Sequence, residues 1–314
     1  MTWNDGLRRG AAGVALLAVA ATSACGGGEP IQQTMSSVAT TTTRLASANI
    51  VGLDREPDAA CAAPTRATGA PARIVVADPA LLDGLCALGL QERVVGIAGV
   101  APAYLGSVLA KTPRATGAAR NGDVVLGTSG SAGAEATLGH ATVLPSPAAG
   151  WRASFTALAA AVHMPTEARA VLARYDKDVK TTSVSIDAPH QMVSLVRFTA
   201  DGAAYAEGTT PLAAQVLADL GVERPAAQRR PEPVRLTGDD FSAADADLVY
   251  ASYEGDKGQK SGMAIMESAP WLHLRAVVAK RQLLVEDASW YSPGGPVAAN
   301  AVLHDVQTSI RSSS

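Results

Sequence analysis

Aromatic side chains are scarce in this chain: Phe, Tyr and Trp make up 4% of its 314 residues. A core built with so few must rest on Ala, Val and Leu, and each Trp or Tyr becomes a candidate for a task besides packing. Basic charge is also short. Lys and Arg number 26 against 29 Asp and Glu, a formal charge of −3, with no cluster of the kind that nucleic acid requires. No apolar run reaches the roughly 20 residues of a membrane-spanning helix. The histidines (His140, His163, His190, His273 and His304) are scattered and show no pair at the spacing of a metal helix. Catalytic signatures fail as well. Gly127-Thr128-Ser129-Gly130-Ser131 departs from a nucleophile elbow at its fifth residue. Gly255-Asp256-Lys257-Gly258-Gln259-Lys260-Ser261 ends like a phosphate loop but has the wrong glycine spacing. Neither an enzyme nor a resident metal or cofactor is expected.

What is present begins at the amino terminus. Arg8 and Arg9 precede an apolar run from Gly10 to Ala21, and Thr22-Ser23-Ala24-Cys25 follows. That pattern predicts a secretory signal over residues 1–24, cleaved before a lipidated Cys25. The mature protein is then lipid-anchored in the cell membrane, on its extracytoplasmic face. The alternative is an ordinary cleaved signal with Cys25 incidental. Residues 25–70 are rich in Thr, Ser, Ala and Gly, with the run Thr40-Thr41-Thr42-Thr43, and read as a flexible tether. A minority reading packs Ile50-Val51-Gly52-Leu53 on the folded body. In an exported chain the isolated pair Cys61 and Cys86 reads first as a disulfide, with two buried thiols as the alternative.

From Arg73 the pattern alternates. Strands are predicted at 73–78, 94–99, 123–130 and 141–147, with a helix from Pro79 to Leu88. A long helical block from Trp151, interrupted at Pro165, runs to about Ser185. Strands at 191–198, 247–254 and 282–287 follow, with helices from Pro211 to Leu220 and from Pro296 onward. Near-continuous apolar strands between helices indicate parallel sheets covered on both faces. The expected fold is α/β: two lobes with mainly parallel sheets (71–150 and 188–314) joined by a single long helix (151–187), with a ligand cleft between them. In such sheets ligands bind outside the carboxyl ends of the strands.

Five segments carry a resemblance: RIVVADPALLDGLCALGLQERVVGIAG (73–99), VSLVRFTADGAAYAEGTTPLAAQVLADLGVERP (193–225), FSAADADLVYASYE (241–254), APWLHLRAVVAKRQLLVED (269–287) and WYSPGGPVAANAVLHDV (290–306). Together they resemble the periplasmic-binding-protein family that delivers iron–siderophore, haem and cobalamin to ABC importers, the class with a helical backbone. Within it the chain is similar to actinobacterial FecB-like lipoproteins, in which the segment 40–62 and the Cys61/Cys86 pair also find counterparts. The resemblance implies a monomeric solute-binding protein whose partners are a small-molecule iron chelate, an ABC permease and, through its anchor, the membrane. One departure stands out. The family places a helix ahead of the strand at 123–130, where this chain runs Gly117-Ala118-Ala119-Arg120-Asn121-Gly122. That helix carries the acidic residue by which the first lobe docks on a permease arginine. Asp239 or Asp240 is the implied equivalent in the second lobe.

The strand ends and the resemblance together nominate ligand-binding residues. In the first lobe they are Asp78, Tyr104, Thr128, Ser129 and Trp151; in the second, Arg197, Tyr205, Tyr253, Trp290 and Tyr291. Arg197 is suited to an anionic chelate through a bidentate contact, or to an internal pair with an acid such as Asp201 or Glu207. Trp290-Tyr291 are placed to stack on a planar ligand, with core packing as the alternative. Three functions stay open: capture of a ferric siderophore, haem binding through Tyr104, Tyr253 or Tyr291, and a non-transport envelope lipoprotein that contacts protein or cell-wall partners.

Overall fold

Strands form where Val, Ile and Leu cluster, because these side chains pack well on a pleated, buried surface. The computed structural model describes residues 49–311. Its strands are β1 (Asn49–Ile50), β2 (Ile74–Val76), β3 (Val94–Ile97), β4 (Val124–Thr128), β5 (Thr142–Leu144), β6 (Val193–Phe198), β7 (Ala204–Ala206), β8 (Val234–Leu236), β9 (Leu248–Tyr253) and β10 (Gln282–Leu284). The first lobe holds a parallel sheet in the order β3-β2-β4-β5. The second holds β1-β10-β9-β6-β7-β8, in which β1, β10, β9 and β6 are parallel and β7 and β8 antiparallel. β2 and β9 are buried almost end to end, as strands covered on both faces must be. The antiparallel pair was not visible in the sequence, where Ala204–Ala206 and Val234–Leu236 are too short to show a period.

The helices that matter for the cleft are α1 (Leu82–Ala87), α2 (Trp151–Ala161), α3 (Pro165–Ser185), α4 (Leu212–Leu220), α5 (Gly255–Met266), α6 (Asp287–Trp290) and α7 (Pro296–Arg311). The expected single helix over 151–187 is two. The chain breaks at Val162–Met164, where His163 takes a left-handed φ of 58°. Pro165, which lacks a backbone N–H, starts α3 rather than bending one longer helix. Between Lys111 and Asp123 the described chain forms no helix, which matches the departure seen in the sequence.

One apolar core runs through both lobes. It joins Leu82 and Leu85 of α1, Trp151 and Phe155 of α2, Tyr175 of α3, Leu195 and Tyr250 of the second sheet, and Trp290 and Val306 near the carboxyl terminus. A second cluster around Phe198, Val249 and Trp271 covers the far face of the larger sheet. Asp83 ties the lobes further. This buried carboxylate accepts hydrogen bonds from the amides of Val297 (2.8 Å) and Ala298 (2.9 Å) at the start of α7, and from the Tyr104 hydroxyl (3.0 Å). A Cβ on Gly295 would lie 2.7 Å from Asp83 Oδ1, so the approach needs glycine there.

The tether expected over 25–70 is corrected over its second part. Residues 50–70 belong to the folded body, as the minority reading of Ile50–Leu53 had it, with Val51 packed against the core. β1 adds a parallel strand to β10. Cys61 and Cys86 form a disulfide across a separation of 25 residues, worth about 3–4 kcal/mol in the chain-entropy model. The Arg93 guanidinium donates to the carbonyls of Thr65, Ala67, Ala70 and Pro71 at 2.9–3.2 Å. An apolar count misses such a segment because backbone pairing, one covalent bond and one arginine hold it. The expected signal 1–24, the lipidated Cys25 and the first part of the tether lie outside the described residues.

Candidate functional site

The lobes meet around a cavity of about 280 Å³, at the lower edge of the roughly 300–1,000 Å³ of small-molecule sites. Pro147 and Ala148 reach it from the loop after β5. Glu207, Thr210, Pro211, Leu212, Pro231 and Pro233 reach it from the second lobe, and Tyr291 to Gly294 from the turn before α7. A larger cavity, about 670 Å³, lies between segment 51–62 and helices α3 and α7. Several of its charges are paired within the body. Arg55 lies 3.3 Å from Glu286 and 3.2 Å from Asp305, the latter an ion pair without hydrogen-bond geometry, and His304 lies 2.9 Å from Asp54. The smaller cavity is the candidate site because it lies between the lobes and is lined by a largely buried acid whose carboxylate makes no hydrogen bond among the described residues.

That carboxylate is Glu207. The residue is 8% exposed, and its side chain makes no hydrogen bond among the described residues. It follows β7, with its amide on the Leu195 carbonyl, so it shares a sheet face with Tyr205 and Arg197. Burial pushes its pKa up to about 6; Arg197 and Arg224 oppose the rise, while Asp287 and Glu254 add to it.

Arg197 takes internal ion pairs in this structure. Its Nε donates to Asp287 Oδ1 at 2.8 Å and its Nη2 to Asp287 Oδ2 at 2.7 Å, and Glu254 Oε1 lies 3.2 Å from Nη2. Ser252 donates to the same Asp287 at 2.8 Å. The internal pair weighed from the sequence is therefore present, with Asp287 and Glu254 in place of Asp201 or Glu207. Those acids stand just past the ends of β10 and β9. Acids that close apolar strands, as in Val285-Glu286-Asp287 and Ser252-Tyr253-Glu254, were the legible signal for them.

The aromatic candidates go largely to the core. Trp290 is fully buried, packs on Tyr250 and donates from Nε1 to Asp305 at 2.8 Å. Trp151 is buried edge-on to Tyr175. Tyr104 is turned to Asp83. Tyr253 stacks on Phe198 and donates to the Met266 sulfur on the far face of the sheet. Tyr291 lines the cavity with its ring under Arg197, but its hydroxyl donates inward to the Val196 carbonyl at 3.2 Å. Tyr205 stays half-buried beside Arg197.

In the first lobe, Asp78 and Thr128 come together. At the ends of neighbouring strands, the Thr128 hydroxyl donates to Asp78 Oδ2, and Asp78 Oδ1 accepts from the Ala80 amide at 3.0 Å. Ser129 follows, exposed. Asp239 and Asp240 are exposed in a turn of the second lobe, where Asp240 accepts from the Ser242 amide at 3.0 Å. Among the described residues no three His, Cys, Asp or Glu side chains gather closely enough to hold a metal ion.

No protein-family model matches the chain. It is 29% identical over 176 residues to the probable siderophore-binding lipoprotein YfiY of Bacillus subtilis, a stretch covering 51% of this chain and 53% of that one. The chain thus spans about half the length of the curated relative it matches. Solved structures align over most of it. Staphylococcus aureus SirA complexed with staphyloferrin B is 18% identical, with a TM-score of 0.59 over 79% of this chain and 95% of that one. B. subtilis FeuA with ferri-bacillibactin is 14% identical, with a TM-score of 0.62 over 78% and 94%. S. aureus FhuD2 with ferrioxamine B is 15% identical, with a TM-score of 0.60 over 77% and 99%.

The chain has the two-lobed fold of the siderophore-binding proteins. The fold that the resemblance implied is thereby borne out, and the relatives' names are those of siderophore-binding proteins.

Glu207 supplies a test of the site's electrostatics. A carboxyl whose pKa is raised from 4.5 to about 6 favours folding below pH 4.5 and loses that contribution as pH climbs through 6. Glu207→Gln removes the cost of the buried charge. Urea denaturation should show the variant near wild-type stability at pH 4 and more stable by about 2 kcal/mol at pH 8. Equal destabilisation at both pH values would show that Glu207 is already satisfied by the fold.

Proposed function

We propose that the protein is a lipid-anchored, extracytoplasmic solute-binding protein that captures a ferric siderophore in the cleft between its lobes and presents it to an ABC permease. The partial sequence match to a siderophore-binding lipoprotein, on a chain with the siderophore-binding fold, carries this reading. The chemistry of the cleft agrees with it. Iron(III) asks for several oxygen ligands, and a chelator that already supplies them needs only shape and charge from the protein. Haem fits less well: the hydroxyls of Tyr104, Tyr253 and Tyr291 are all engaged within the body and none is free to reach iron.

One observation favours the third reading, an envelope lipoprotein that no longer feeds a permease. Residues 111–123 form no helix, so a first-lobe docking acid has no helix to carry it, and Asp239 or Asp240 is left as the docking contact of the second lobe. A single panel separates the three. Titration of intrinsic tryptophan fluorescence with ferric trihydroxamates, ferric tricatecholates and haem should give saturable binding of a ferric chelate with a Kd of about 1 μM or below. Saturation by haem alone would favour the second reading, and flat traces throughout the third. Anchoring is tested separately. Cys25→Ser should leave the protein unprocessed or in the soluble fraction, and a mature, membrane-bound variant would exclude lipidation there.

A further inference from the structure

The cavity at the lobe junction has walls of unusual composition. Pro147, Pro211, Pro231, Pro233 and Pro293 line it with Leu212. Proline has no backbone N–H, so these walls offer apolar surface and almost no hydrogen-bond donor. Several of the donors that stand there are engaged, while the Ser292 hydroxyl makes no hydrogen bond among the described residues. The Thr210 hydroxyl donates to the Pro231 carbonyl at 3.1 Å, Gln215 Nε2 to the Thr210 carbonyl at 2.9 Å, and the Tyr291 hydroxyl to Val196. Glu207 lines this space; the residue is 8% exposed, and its carboxylate makes no hydrogen bond among the described residues.

Two arginines act on Glu207, and neither hydrogen-bonds its carboxylate. Arg197 is committed to Asp287 and Glu254. Arg224 donates to the backbone carbonyl of Glu207 and to Gln228. With Asp287 and Glu254 beside it, Glu207 leaves this group of charges negative. Arg235, paired with Tyr205 across β7 and β8, is exposed at the sheet edge. A carboxylate between largely apolar walls, with no donor hydrogen-bonded to it, is complementary to a cation on an alkyl stem.

We propose that this cavity takes an alkylammonium arm of the ligand, with Glu207 as its counter-charge, so that the cleft prefers a ferric chelate bearing a free amine to a neutral or anionic one. For the ligand's identity the inference rests on chelate capture as the protein's function; the amine pocket itself does not.

Ferrioxamine B, whose chain ends in a free amine, and its N-acetylated derivative make a matched pair. By isothermal titration at pH 7.5, wild type should bind the amine form about tenfold more tightly, and Glu207→Gln should bring the ratio close to one. A thermal-shift titration with n-butylammonium chloride probes the pocket without iron. Wild type should melt higher with increasing amine, and Glu207→Gln should not respond. Equal affinity of wild type for the two chelates, or an unchanged ratio in the variant, would overturn the amine preference while leaving chelate capture intact. Response to the amine with no binding of either chelate would support the pocket and overturn chelate capture. No response to the amine by wild type would overturn the pocket.

Discussion

Asp83 sets the relation between the two halves of the molecule. It stands on α1 of the first lobe, yet it caps α7, the helix by which the chain returns after completing the second sheet. A buried carboxylate is costly unless its lone pairs are met. Here two amides at a helix N-terminus and the Tyr104 hydroxyl meet them, and the partial positive charge of the helix end adds to the effect. Burial still raises the pKa of Asp83, which shows that desolvation outweighs these bonds. Moving one lobe against the other would strip the carboxylate of its partners without bringing in water, so the cap resists displacement beyond its own bond energy.

The shared core works in the same direction. α3 and α7 carry Tyr175 and Val306 into one apolar cluster with side chains of both sheets. Helices bend only at the expense of backbone hydrogen bonds, and a core packed at crystal density deforms little. The amino-terminal segment extends this frame. β1 pairs with β10, Arg55 pairs with Glu286 and Asp305, and the Cys61–Cys86 bond fixes the same segment to α1. With the frame held, the cleft's charge pattern is held too: Arg197 stays locked to Asp287, and Glu207 stays buried beside it.

Much of this was legible before any coordinates. The parallel strands announced themselves as short apolar runs, and the helix read from Pro211 to Leu220 ends where expected, at Gly221 with a φ of 77°. The pair Asp78 and Thr128 was also recoverable, because both stand at the carboxyl ends of neighbouring strands. Three features were not. The left-handed His163 that completes the break already read at Pro165 is one, since composition does not announce it. The packing of residues 50–70 depends on Arg93 and on partners far along the chain. The aromatic candidates failed for an energetic reason: in a chain with so few large rings, Trp151, Trp271 and Trp290 are among the largest side chains available to fill the core, and all three are fully buried. Scarcity commits aromatics to packing. Glu207 was weighed only as a partner for Arg197, since nothing in the sequence tells a buried acid from an exposed one.

A frame of this kind requires the lobes to keep one arrangement. Spin labels at Thr137→Cys and Glu232→Cys, both exposed and one on each lobe, would report the separation by double electron–electron resonance. The gallium(III) form of a bound siderophore should be used, so that iron does not interfere. A frame fixed by Asp83 and the shared core predicts one narrow distance distribution whose centre moves by less than about 2 Å on binding. A broad distribution in the free protein, or a larger shift to a closed distance with ligand, would contradict it.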